Sequence, residues 1–404
     1  MKRPVADDVT VEDLERDPYP TYSRLRREAP VCWVPAVGLW FITRWADVMA
    51  AGEDTSRFPA SMPGSPLDRT LGGTNVLTID GPEHGRMRAP MEATLRPKLL
   101  EANAPATVER IADSLLAELA PRGEAELMSA FCEPFAVLTL AEVIGLPPVP
   151  AATLMRWFHQ IAAGTSNYEG DPAKQAVADT TSAEIDRTLR PRFAELLERP
   201  DGSMISDMLH AETGDLDERM GALMPSLKLA LIGGLQEPAH GLGTTVVGLL
   251  GDPDQRVAVL DDPRGLARKA TEEGIRWISP IGTQGRAAGP GVSVAGVEIP
   301  EGEAVGIMVP SANRDGSVFG PTADRFDMAR PRHAHAAFGF GSHFCVGHHL
   351  ARIQMRTGLW SLIEHLPGLR LDEEQPPVFG GWEYRGPASM YVRWGPGSRG
   401  PSLT

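Results

Sequence analysis

Cysteine is scarce in this chain: Cys32, Cys132 and Cys345 are its three, and no two form a C-x-x-C pair. Such spacing argues against a disulfide framework, a cysteine-rich zinc site or an iron–sulfur cluster. Cations are short as well. Lys and Arg number 39 against 53 Asp and Glu, a net charge of −14, and no concentrated basic block occurs. Nucleic acid is therefore not an expected partner, because phosphate binding needs clustered cations. No window reaches the ~20 uninterrupted apolar residues of a membrane span; "SLKLALIGGL" comes nearest, and Gln236 ends it. The stretch "MKRPVADDVT" lacks the apolar core of a signal peptide. A soluble, cytoplasmic protein with no membrane partner is the expectation. No glycine fingerprint for a nicotinamide or flavin is present either.

What is present is enough apolar material, 42% of 404 residues, to bury a large core. Short β-like runs between Pro30 and Val48 give way to a Gly/Pro/Ser-rich stretch, Pro59 to Asn75, that reads as a long loop. Residues 83–120, 129–145, 151–164, 172–198 and 217–250 carry helix formers with apolar residues three or four apart. Strand periodicity returns at Val292–Ile299 and Met390–Trp394. The pattern predicts one large domain over 1–404, mainly α with small peripheral β sheets, and short flexible ends at about 1–14 and 396–404.

The third cysteine sits in "FGFGSHFCVGHHLARIQMR", amid Gly339, Gly341 and Gly347 and just before a helical pattern. Backbone N–H groups and a helix start at that point favour the thiolate, which is the metal-ligand form. By itself such a cysteine reads equally as a small buried hydrophobe, and the neighbouring His343, His348 and His349 match no common zinc spacing.

Phe338, Gly341, His343, Cys345 and Gly347 together give F-x-x-G-x-H-x-C-x-G, and with "EGIR" (Glu273, Arg276), "SANRD" and "RFDMARP" in order the chain resembles the cytochrome P450 family over about residues 15–395. The resemblance implies the P450 fold and haem b with the Cys345 thiolate on its iron. It implies that Glu273, Arg276 and Arg330 lock the loop holding that thiolate. His84, Arg88, Arg286 and His335 take propionate-binding positions of the pattern, with His84 and Arg88 four apart on one helix face.

It also explains "LIGGLQEPAHGLGTT", residues 231–245, where Gln236, Glu237 and Pro238 interrupt an apolar helix. A buried carboxylate and an interior proline are both costly, the latter by ~3 kcal/mol. In the family this helix crosses the haem face opposite the cysteine and carries an acid–alcohol pair for proton management. Gly233 and Gly234 would let the backbone approach the cofactor, Gln236 and Glu237 stand in for the pair, and Pro238 would push the Gly234 carbonyl aside and open a groove. In a dry site the Glu237 carboxyl would tend to its neutral, proton-donating form. The other reading has Glu237 turned away, paired with His240 or a buried water beside Gln236.

"LQEPAHG" with "EGIRWISPI" and "GWEYRGPASMYVRW" resembles the branch that demethylates lignin-derived methoxyphenols of guaiacol or syringol type, releasing formaldehyde. The pocket walls this implies are Leu71, Val76, Thr165, Leu229, Ile232, Gly233, Ile281, Gly282, Thr283 and Tyr384, whose small members suit a dimethoxyphenol. The implied partners are a small aromatic substrate, O2 or hydrogen peroxide, and a separate ferredoxin or flavin reductase, with Arg352 and Arg356 as part of its docking face. Glu237 would also permit peroxide-driven turnover. The rival readings are a hydroxylase of another hydrophobic molecule, such as a terpenoid or biosynthetic intermediate, and a haem sensor without turnover.

Overall fold

The computed structural model describes residues 5–395. Helices dominate, and the longest, Leu216–Leu250, forms the axis of the molecule. Its start is specified locally: Asp215 accepts from the Glu218 N–H while the Glu218 side chain accepts from the Asp215 N–H, a reciprocal cap. Its 35 residues are buried on almost every side, packed by helices Glu133–Ile144, Ala151–Thr165, Pro263–Trp277 and His348–His365. Such burial on all faces explains why its sequence is apolar nearly all round rather than along one stripe.

The strands lie to the side of this helical mass. Strands Val31–Val34, Leu39–Ile42, Ala304–Met308 and Thr283–Ala287 make a four-stranded sheet in that order, with the central pair parallel. Three smaller sheets account for the other strands among the described residues. Mainly α with small peripheral sheets is therefore the observed architecture.

Several local expectations are corrected. The stretch Pro59–Asn75 holds a helix, Pro66–Leu71, whose Ser65 cap and first-turn proline were legible signals. The expected helix 129–145 begins as a π-helical turn, Met128–Cys132, before Glu133–Ile144. Residues 5–14 are not a loose end: Val5 bridges to Trp33, and Ala6, Val9 and Leu14 are buried. The rest of the expected flexible ends, 1–4 and 396–404, lies outside the described residues. Among the described residues no helix is long and apolar enough to cross a membrane.

Candidate functional site

The cysteine loop is shaped by its glycines. Gly339 and Gly341 have φ of +73° and +52°, which side chains with a Cβ rarely adopt. These turns bring the Cys345 N–H to the Phe338 carbonyl at 2.8 Å and deliver the sulfur just ahead of helix His348–His365. Burial pushes the Cys345 thiol up to about 11, against the lowering effect of the Gly347 N–H. Burial thus opposes the expected thiolate while the Gly347 N–H favours it.

Beneath the loop, Glu273 and Arg276 form a fully buried ion pair through two contacts of 2.7 Å. Arg330 joins at 3.2 Å from Glu273 Oε1. Arg276 also donates to the carbonyls of Asn313, Ala323 and Arg325, each at 2.8 Å. The three expected residues are thus joined, and their further bonds run to the segment from Asn313 to Asp327.

Expected cofactor residues gather near Asp80, which precedes helix Gly81–Thr94 and turns its side chain to His343 and the Ala60 N–H. His343 Nε2 bonds Asp80 at 2.8 Å, and the His343 and His84 rings lie 4.4 Å apart. Arg88 donates to the Phe344 carbonyl at 2.7 Å, tying that helix to the cysteine loop. Arg286 is 1% exposed, yet its Nε and Nη2 have no partner, and His84 Nε2 has none either. Burial pulls Arg286 down to about 10 and lowers both histidines. Unsatisfied buried cationic donors of this kind fit a dianionic ligand, as the two propionates of a haem would be. His335 does not belong to the group. Its Nε2 is 3.1 Å from Glu272 Oε2, on the helix carrying Glu273. Asp80 escaped the sequence reading; its position before Gly81-Pro82 signalled only a helix cap.

On the long helix, Gly233 is exposed in the midst of buried neighbours, and Glu237 one turn on keeps part of its surface free. Cys345 and Tyr384 likewise keep free surface although protein surrounds all three side chains. From this free surface on enclosed side chains we infer an internal void. Glu237 is near enough for a charge on it to act on both Cys345 and Tyr384, and its Oε1 lies 3.7 Å from where a Gly233 Cβ would be. Glu237 Oε2 and Gln236 Oε1 have no hydrogen-bond partner. Burial raises Glu237 to about 8, which keeps it neutral at pH 7. His240, the alternative partner, is driven down to about 4 by its own burial, and its Nδ1 has no partner. The helix runs unbroken through Pro238, which has no N–H to offer the Gly234 carbonyl.

The face of the helix decides which expected wall residues reach the void. Leu229, Gly233 and Glu237, four apart, share the open face. Gly234 does not: a Cβ there would lie 2.6 Å from Leu140 Cδ1, so it serves packing against helix Glu133–Ile144. Ile232 is turned away too, against Leu154, Trp157, Phe158 and Ile185. Leu71 has no exposed surface, and Val76 is buried with its N–H on Ser226 Oγ at 3.0 Å. Gly282 is small because the Trp382 carbonyl sits 1.9 Å from where a Cβ would be. Thr283 turns its hydroxyl to Glu383, a buried acid raised to about 7 by desolvation that the sequence reading also missed. Ile281 and Tyr384 are bridged, and Thr165 Oγ1 meets the Tyr384 hydroxyl at 2.9 Å.

Arg352 is also recast. It grips Glu272 at 2.5 and 3.0 Å and stacks 4.2 Å above the Phe338 ring, while Arg356 Nε bonds the Arg352 carbonyl. Arg352 is a strut of the cysteine loop rather than a free docking charge.

Comparison with known proteins adds independent observations. Residues 265–379 match the profile of the family described as Cytochrome P450. The chain is 33% identical to Cytochrome P450 107B1 of Saccharopolyspora erythraea, over 88% of this chain and 89% of that protein. It is 30% identical to the 6-deoxyerythronolide B hydroxylase of the same organism, over 90% and 93% of the two chains. Among solved structures it resembles CalO2 with a TM-score of 0.85 at 26% identity, covering 98% of this chain and all of that one. Ligand-free TbtJ1 gives 0.81 at 28% identity, covering 95% and 99%.

Proposed function

The chain belongs to the cytochrome P450 family, and from that premise we propose that it removes methyl groups oxidatively from methoxyphenols of the syringol or guaiacol type. It is a monooxygenase, and its prosthetic group is haem with a cysteine thiolate on the iron. Bound haem supplies the activation of oxygen and the oxidation of the substrate carbon. Cys345 is the ligand we assign to it, and His84, Arg88, Arg286 and His343 are the side chains we assign to its propionates. Working as one unit, the chain would take its electrons from a separate ferredoxin or flavin reductase.

The observation that carries the reading is Glu237: a carboxyl that burial raises to about 8, with Oε2 unpartnered, near enough to act on Cys345 and able to give a proton and take it back. Gly233 leaves open space beside it, and Leu229 and Ile281 supply apolar surface for a small ring. The reaction balances as methoxyarene plus O2, two electrons and two protons giving the phenol, formaldehyde and water. With hydrogen peroxide in place of O2, electrons and protons, the same products form. Glu237 would carry the proton between peroxide oxygens in that case.

Hydroxylation of another hydrophobic molecule is the second reading, favoured by the relative named for a hydroxylase. Formaldehyde release and high-spin absorbance shifts, measured over methoxyphenols and terpenoids, separate the two. Formaldehyde with syringol or guaiacol is expected; none from any methoxyarene discards the demethylase reading.

A further inference from the structure

Thr165 ends helix Ala151–Thr165, while Tyr384 lies in the chain between two short strands near the other end of the protein. Their side-chain oxygens meet at 2.9 Å. Two hydroxyls have two protons to place. The Ala162 carbonyl, 3.2 Å from Thr165 Oγ1, can only accept. The threonine proton therefore goes to Ala162, Tyr384 donates to the threonine oxygen, and a lone pair on the tyrosine oxygen is left unused. Burial raises the Tyr384 phenol well above its ordinary range, so it stays a neutral hydroxyl. Tyr384 keeps free surface inside the protein and feels the charge of Glu237. That free surface is what places its ring on the inferred void. Around that void Leu229, Gly233 and Ile281 offer no side-chain hydrogen bond.

We infer that the Tyr384–Thr165 hydroxyl pair is a recognition subsite for a phenolic hydroxyl on the substrate, an inference that rests on the methoxyphenol reading above. A phenol donates to the open lone pair of Tyr384. A fully methylated arene has no proton to give and buries that oxygen unsatisfied. The contact selects phenols over their ethers, and it also sets which ring substituent faces Gly233 and Glu237. Tyr384 is thus a specificity-determining and positioning residue.

The test titrates the haem-loaded protein with 2,6-dimethoxyphenol and with 1,2,3-trimethoxybenzene, following the spin-state shift. Wild type is expected to bind the phenol about 10-fold more tightly, the worth of one such hydrogen bond. In Tyr384→Phe the ratio of the two affinities should fall to about one. Thr165→Val should reduce it in the same direction and Thr165→Ser restore it, which keeps the subsite testable if the tyrosine variant does not fold. A preference for the phenol that survives both Tyr384→Phe and Thr165→Val overturns the subsite while leaving the substrate class intact. Equal binding of the two ligands by wild type also overturns it. If neither ligand shifts the spectrum and no methoxyarene yields formaldehyde, the demethylase reading falls and takes the subsite with it.

Discussion

Glu273 and Arg276 below the cysteine loop, and Gln236 and Glu237 on the long helix opposite, are both buried polar pairs, and their surroundings treat them in opposite ways. Both oxygens of Glu273 are occupied, by Arg276, Arg330 and the Asp327 N–H, and Arg276 reaches three carbonyls besides. Gln236 Oε1 and Glu237 Oε2 are left without partners. A fully satisfied buried network rigidifies, whereas a buried group left open costs stability and keeps its bonding capacity for something else. The first pair holds the segment from Asn313 to Asp327 in place. The second keeps bonding capacity unused.

The strongest way to break this comparison is at the clamp. Arg276→Gln leaves the buried Glu273 charge to Arg330 and the Asp327 N–H alone and empties three carbonyl contacts; it should cost ~3 kcal/mol, read as a lower urea midpoint and loss of the reduced carbonyl-complex absorbance typical of thiolate-bound haem. An unchanged midpoint would put the two pairs on an equal footing. Glu237→Gln, by contrast, removes an open acid and leaves a neutral isostere. Peroxide-driven formaldehyde release should fall by ~100-fold, with no loss of urea resistance. A variant as unstable as the clamp mutant would mean that Glu237 is structural.

The pH response sharpens the same contrast. Glu237 and Glu383 hold their protons to about 8 and about 7 in the folded protein, above their ordinary value of 4.5. Between those values the native state binds more protons than the unfolded chain, so both groups destabilise the fold as pH rises from about 5 to 8. The melting temperature should decline over that window, and Glu237→Gln with Glu383→Gln should flatten the decline. Peroxide-driven turnover should lose its proton donor above pH about 8 in wild type, an inflection that Glu237→Gln lacks. A profile unchanged by the substitution would assign the inflection elsewhere.

The smallest effect is expected at the edge of the clamp. Burial would raise Glu272, but hydrogen bonds from His335 and Arg352 hold it down to about 2. Arg352→Gln should therefore cost roughly 1 kcal/mol, discounted because the pair is partly solvated. Electron delivery by a ferredoxin should change by less than about 2-fold, since the guanidinium is already committed to Glu272. A larger rate effect with unchanged stability would return Arg352 to a docking role.

How much was legible follows from how local each signal was. Helix periodicity over 172–198 and 217–250 was realised almost to the residue, and the cysteine motif placed its residues as its spacing implied, because its glycine turns need nothing from elsewhere. The structure brings His84, Arg286 and His343 close to one another, with Arg88 on the same helix as His84, whereas His335 pairs with Glu272 and Asp80 was missed. His343 and Asp80 meet across 263 positions of sequence, a pairing no local pattern records. The pocket suffered most. Gly233 and Gly234 are adjacent and chemically identical, yet one opens on the void and the other packs on Leu140.

From its amino acids alone the chain settled its helical periods, the ligand cysteine in its glycine loop, and the presence of a costly acid beside a proline in an apolar helix. Such features depend on residue order over a turn or two. Tertiary packing decided the rest: which face of the long helix is left uncovered, that Glu237 Oε2 is enclosed with no partner, and that Tyr384 finds Thr165. A helical residue turns ~100° from its neighbour, so a rotation by one position would have exchanged core for cavity, and only the surrounding helices fix that rotation.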